Sequence, residues 1–173
     1  HFLGMPVDRL HSVGLAGLLH DYGKALIPHE ILTAPRSLTF QEVETMRGHV
    51  QLGVEKIKQF SSVDQETIEG IEQHHEKHNG TGYPYRISGK QIGVIGRILS
   101  LSDVYDTLSS KRVYKGALPP NKALGMMYKM RGQAWAPGYV ERFIKMVGIF
   151  PVGTAVELSN EHRGIACRSN TNI

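Results

Sequence analysis

Apolar positions recur every three or four residues along most of the chain, a period that predicts helices. Leu10, Val13, Gly17, Leu18 and Tyr22 form one such stripe, ending at Gly23. Pro28 and Pro35 break the pattern between Ala25 and Ser37, which predicts a loop holding at most a short helix. Thr39 with Glu42 is a capping box that opens a helix running toward Met46. His49, Gly53, Val54, Ile57 and Phe60 trace the next helix. Asp64 is placed to cap another, with Ile68, Ile71 and His75 on one side, and a glycine-rich loop from Glu76 to Gly89 follows. Ile92, Ile95, Leu99 and Ser102 begin a long helix reaching about Leu108. Pro119 and Pro120 start a further one, with Ala123, Met127 and Met130 spaced for a core face. Pro137 takes the first position of the last helix, which carries Val140, Phe143, Ile144 and Val147 and stops at Gly148.

The texture then changes. Ala155 to Leu158 and Ile165 to Arg168 read as two short strands, with Ser159 to Gly164 as the turn between them. The expected fold class is all-α, with a small C-terminal β-hairpin appendage. The expected division is a helical domain over 1–148 and a short β tail over 149–173 packed on it. There is no internal repeat, low-complexity segment or obvious linker.

Composition changes this picture little. With 173 residues, 40% hydrophobic and 21% charged, the chain can build a real core and is neither disordered nor fibrous. Its one cysteine, Cys167, excludes an intrachain disulfide and reads as a small residue near the end of the chain; it is compatible with a reducing cytoplasm, the expected location. No apolar run is long enough to span a membrane, and no signal-peptide pattern opens the chain. His1 and Phe2 do not resemble a natural start, so a piece of a longer protein is expected. The net charge of +4 favours an anionic ligand without pointing to duplex nucleic acid.

The nine histidines carry more information. His20 and Asp21 close a helix just before Gly23. Adjacent helical side chains diverge by about 100°, so the two share a site only at a helix end or around a metal. An imidazole and a carboxylate suit divalent iron, manganese or zinc. His74 and His75 sit at another helix end and could serve one metal each. Asp103 lies in the apolar run 98–104, where an isolated carboxylate is costly; either a metal or a buried cation would offset it. His49 follows Gly48 and reads either as a ligand or as an exposed helix-start histidine. Lys24, three residues after Asp21, reaches the same side on a continuing turn, to pair with a phosphate oxygen or protonate a leaving group; otherwise it is solvated. Together these donors suffice for two metals sharing a carboxylate, an arrangement suited to phosphodiester hydrolysis.

The same residues resemble a known family. His20-Asp21-Tyr22-Gly23-Lys24 is similar to the HD-x-G-K signature of the HD phosphohydrolase superfamily. His74-His75-Glu76, followed by Asn79-Gly80-Thr81-Gly82-Tyr83-Pro84, resembles the HHE…DGxGYP signature of its HD-GYP subfamily. The stretch from Ser102-Asp103 through Asp106 to Arg112 and Lys115 is similar to that subfamily's DxYDALxxxRxYR segment, and Arg47-Gly48-His49 with Gly53 matches an intervening element. The resemblance runs from about Leu10 to Val147.

It implies an HD-type helical bundle and hydrolysis of cyclic di-GMP to pGpG, in some members on to GMP, with cyclic GMP-AMP as a related substrate. Carried over by position, the metal ligands are His20, Asp21, His49, His74, His75 and Asp103, and Asp21 and Lys24 are the catalytic pair. Lys24, Tyr83, Arg112 and Lys115 face the substrate. The cofactors implied are two divalent ions, iron or manganese. The family's third ion uses a ligand on an upstream helix, and the nineteen residues before His20 are too few to hold it. Asn79 stands where the family has Asp, which removes a charge but no ligand. Partners are cyclic di-GMP or a related cyclic dinucleotide, and proteins docking on the GYP loop; no membrane segment or duplex nucleic acid is implied. Three classes stand beside one another: an active phosphodiesterase, a cyclic-dinucleotide sensor or protein-docking module of weak activity, and another HD hydrolase. The intact ligand set favours the first over the second, and the GYP segment disfavours the third.

Overall fold

The computed structural model describes residues 5–110 and 116–168. Helix α1 spans Val7–Leu19 and ends in a 3-10 turn, Tyr22–Leu26. The short α2 is His29–Leu32, inside the segment expected to hold at most a short helix. Then come α3 (Phe40–Arg47) and α4 (His49–Ile57), joined at Gly48. The capping box at the start of α3 is formed as expected: Glu42 N donates to the Thr39 hydroxyl and Thr39 N donates to the Glu42 carboxylate. Asp64 caps α5 (Gln65–Gln73), accepting from Thr67 N at 2.8 Å. A loop leads to α6 (Val94–Ser109), followed by α7 (Pro120–Lys129), with Pro120 at the first position, and α8 (Tyr139–Val147). Strands β1 (Ala155–Glu157) and β2 (Arg163–Ile165) pair antiparallel, Ala155 opposite Ile165. The all-α bundle with a small hairpin is thus the observed fold.

Two apolar clusters organise the helices. The first joins Ala16, Val54, Ile57, Ile68, Ile71, Ile95 and Leu99, from α1, α4, α5 and α6. The second joins Leu101, Leu124, Met127, Trp135, Val140 and Phe143, from α6, α7, α8 and the turn before α8. Helix α6 therefore serves both. The buried Trp135 indole donates to the Ser100 hydroxyl at 3.1 Å, which satisfies both groups between the clusters.

Four local expectations are corrected. The packed face of α1 is Val13, Ala16 and Leu19, while Leu18 is 79% exposed and Leu10 and Tyr22 face solvent in part. The two stripes share Val13, and the small Ala16 lets α1 lie close to α5 and α6. The regular helix stops at Leu19 because the chain tightens into the 3-10 turn that carries Gly23. Pro137 precedes the cap of α8: Gly138, at φ 89, is the capping residue, and its amide donates to Glu141 at 2.9 Å. The second strand begins at Arg163, two residues earlier than expected, because Glu161 at φ 66 makes a compact turn closed by Leu158 N donating to His162 O at 2.8 Å.

Gly23 meets Gly53 of α4 backbone to backbone. A Cβ at Gly23 would lie 1.8 Å from His49 O and 2.6 Å from Gly53 N, groups that cannot move aside without moving α4. Gly23→Ala is expected to destabilise the protein by about 3 kcal/mol, lowering Tm by roughly 6–12 °C. Gly14→Ala, on α1 with nothing within 4 Å of the added carbon, is expected to stabilise by about 1 kcal/mol. Paired thermal melts check both, and equal shifts would contradict the close approach.

Candidate metal centre

Helix ends build the site. His20 is the C-terminal cap of α1, and Asp21 leaves the helix at φ −99 and ψ 5. That break turns two adjacent side chains toward one point. The 3-10 turn then brings Lys24 Nζ to 2.6 Å from Asp21 Oδ2. Gly48 lets α4 start directly on the end of α3, with His49 as its first residue and 1% exposed. His74 caps α5, with His75 next to it. Asp103 comes from the middle of α6.

Three of the four histidines are held alike. Nδ1 of His20 donates to Gly17 O at 2.8 Å, Nδ1 of His49 to Met46 O at 2.7 Å, and Nδ1 of His74 to Ile71 O at 2.6 Å. Each acceptor lies three residues back, among the carbonyls a helix end leaves unpaired. A carbonyl can only accept, so Nδ1 carries the proton and the Nε2 lone pair of the neutral ring is free to bind a metal. Among the described residues, Nε2 of His49, Nε2 of His74 and Oδ1 of Asp21 are buried without hydrogen-bond partners.

The free atoms converge. Donor atoms of His49, His74 and His75 lie within 4.8 Å of one another, and so do those of His20, Asp21 and His74. The two triads share His74. Asp21 Oδ2 is 3.4 Å from His20 Nε2, and Oδ1 is 3.6 Å from His49 Nε2. The His74 and His75 rings are 3.9 Å apart, centre to centre. Asp103 lies outside both triads, with Oδ2 at 4.0 Å from His75 Nδ1. Bare, buried nitrogens around a carboxylate are the donor set a divalent ion needs, so these residues fit a metal centre.

Electrostatics point the same way. Burial pushes His74 down to about 4 and His75 down to about 2, each helped by neighbouring imidazoles. His49 is also lowered, chiefly by burial. These rings are neutral near pH 7, as ligands must be. His20 is raised, chiefly because its protonated ring adds a hydrogen bond from Nε2 to Asp21 that the neutral ring does not make. Burial would raise Asp21, but hydrogen bonds from His20 and Lys24 outweigh it and hold the carboxylate well below its usual range.

The structure thus gathers His20, Asp21, Lys24, His49, His74, His75 and Asp103 at one place. The exposed reading of His49 is set aside by its burial. Tyr83 stacks on His75 with ring centres 4.6 Å apart and planes at 26°. Arg112 and Lys115 lie outside the described residues. Sequence reasoning gave no role to Arg47, whose guanidinium lies over the Tyr83 ring at 5.1 Å, or to Glu76, which is buried beside His75. Their position inside the matched motifs was the available signal.

A family profile described as an HD domain matches residues 2–137. A cyclic di-GMP phosphodiesterase of Pseudomonas aeruginosa is 36% identical over 94% of the chain, which spans 39% of that protein's length. A 3'3'-cGAMP-specific phosphodiesterase of Vibrio cholerae is 34% identical over 84% of the chain, which spans 28% of its length. The solved structure of an HD-GYP protein from Bdellovibrio bacteriovorus superimposes with a TM-score of 0.66 at 23% identity, over 83% of this chain and 46% of that one.

The lowered histidines set a pH response of the metal-free protein. Between their folded values and about 6.5 the unfolded chain binds more protons than the native state, so stability falls as pH falls. His20 is raised and opposes this, but three rings outweigh one. Metal-free protein is expected to lose about 2–4 kcal/mol between pH 7 and pH 5, read as a Tm drop of roughly 5–15 °C. A Tm unchanged over that interval would contradict the assignment of neutral, buried rings.

Proposed function

The chain belongs to the HD-domain family, and we propose that it is a metal-dependent phosphodiesterase of the HD-GYP branch, hydrolysing cyclic di-GMP to pGpG, with GMP as the product of any second cleavage. The observation that carries this is the pair of donor triads meeting at His74, with buried nitrogens that have no hydrogen-bond partner among the described residues. In this reading His20, Asp21, His49, His74, His75 and Asp103 hold two divalent ions, iron or manganese. Such ions supply Lewis-acid activation of water and neutralise charge developing on the phosphoryl oxygens.

The protein's own groups do the rest. Asp21 sits between His20, His49 and Lys24 and fixes the relation between the two triads. Lys24 is part-exposed at the rim, where its ammonium pairs with a phosphate oxygen and has a proton to give to the leaving oxygen. The Tyr83 ring walls the site beside His75 and excludes water on that side. Arg112 and Lys115 contact the ligand's phosphates in this proposal. The catalytic unit is placed in 1–148, with 149–173 as a tail. Protein docking on the GYP loop and a cytoplasmic location belong to the same reading; no helix among the described residues is long and apolar enough to cross a membrane.

Cyclic GMP-AMP is the second reading, favoured by the likeness to a relative named for 3'3'-cGAMP. Protein purified without oxygen and supplied with iron or manganese is expected to cleave cyclic di-GMP faster than cyclic GMP-AMP, and a chelator is expected to stop it. Asp21→Asn and His74→Ala should each lower kcat by about 100-fold or more, since loss of mere outer-shell partners costs 10–100-fold. Chromatography of the products checks this; binding without product in the metal-loaded protein would favour a sensor instead.

A further inference from the structure

His75 differs from the other three histidines. Among the described residues, its ring has no hydrogen bond to a carbonyl. Its neighbours are the His74 and His49 rings, with centres 3.9 and 5.2 Å away, the stacked Tyr83 ring and, at 4.0 Å, the Asp103 carboxylate. Of these four, Tyr83 alone is carried by the loop after α5, so the orientation of His75 depends in part on that loop. We propose that Glu76 is the positioning residue for that loop: its buried carboxylate folds residues 82–86 back onto the end of α5 and so sets Tyr83 against His75. The inference rests on the metal centre proposed above.

Glu76 is 2% exposed. Its Oε1 accepts from the backbone amides of Tyr85, at 2.7 Å, and Arg86, at 3.0 Å. Arg86 is held at φ 56, a left-handed conformation uncommon for a residue with a Cβ, and its amide points at the carboxylate from there. Glu76 has no ion-pair partner among the described residues, and its Oε2 is bare. A buried carboxylate with no cation is a poor way to fill space; an apolar side chain would do that at less cost. Its bonds go to one place, the returning limb of the loop.

The two limbs are held differently. The outgoing limb is pinned to the turn before α8, His78 N donating to Ala134 O at 2.9 Å and Asn79 N to Gln133 O at 3.0 Å. Among the described residues, 82–86 on the returning limb are held by Glu76 and one long backbone bond, Tyr83 N to His75 O at 3.3 Å, while the limb's far end is tied by Gly89 N donating to His78 O at 3.0 Å. It crosses the chain at Gly82, where a Cβ would lie 2.4 Å from Glu76 Cα and 2.4 Å from Lys77 N. Tyr83 emerges from that crossing directly over His75, with Arg47 over its ring. The side chain of Glu76 thus orients His75 as carbonyls orient His20, His49 and His74.

The test uses manganese alone as the probe, titrated into wild type, Glu76→Ala and Glu76→Gln at low temperature, with circular dichroism confirming the fold. Glutamine keeps the Oε1 acceptor. Glu76→Ala is expected to weaken manganese binding about 10–100-fold, and Glu76→Gln to stay within about threefold of wild type. Amide exchange of the 82–88 segment should quicken in the alanine variant only. Gly82→Ala keeps the carboxylate but forces the limb away, and it should weaken manganese binding likewise, which carries the test if Glu76→Ala does not fold. Wild-type affinity in Gly82→Ala, or a glutamine variant as weak as alanine, would overturn the inference. Wild-type protein that binds manganese but cleaves no cyclic dinucleotide would overturn the proposed function and leave this inference standing.

Discussion

An imidazole with one nitrogen bonded and the other bare, sealed from water, is the constraint around which this molecule is built. Each such atom costs about 1–3 kcal/mol while nothing pairs with it. His49 and His74 both carry one, and the Asp21 carboxylate adds a third. The protein meets this with position. Helix ends hold spare carbonyls, so a histidine placed there fixes its own tautomer three residues back. The ends of α1, α3 and α5 are brought together, and with them the free lone pairs. The backbone seam of Gly23 against Gly53 keeps α4 close enough for His49 to join His20 and Asp21.

Much of this was legible because the informative residues are of rare types in revealing places. A His-Asp pair before a glycine, and a His-His pair before a glycine-rich loop, mark helix ends as well as candidate ligands. The capping box at Thr39 and the proline start of α7 are local chemistry, and they formed as read. The packed face of α1 was not legible, since Leu18 is the larger apolar side chain and only the neighbouring helices select Ala16. The cap of α8 was misread because proline and glycine stood side by side, and the left-handed Gly138 decides where the helix begins.

Glu76 illustrates a different limit. Its place in the His-His-Glu motif marks it, but the sequence does not say that it is buried or that its partners lie nine and ten residues on. Arg47 is similar: its stacking on Tyr83 depends on a loop more than thirty residues away. Ligand identity survives in sequence because the chemistry demands the residue type. The parts that orient a ligand act through backbone geometry, which many sequences could provide.

Helix α6 gives Ile95 and Leu99 to one apolar cluster, Leu101 to the other, and Asp103 to the side of the histidine cluster. It acts as a common beam. Val104, Tyr105 and Leu108 along the same helix pack on the second cluster. Trimming away α7 and α8 would strip the beam's far side and leave an oily flank on the very element that supplies a carboxylate. The histidine-bearing half is therefore no separable folding unit, and the two halves should melt as one cooperative block.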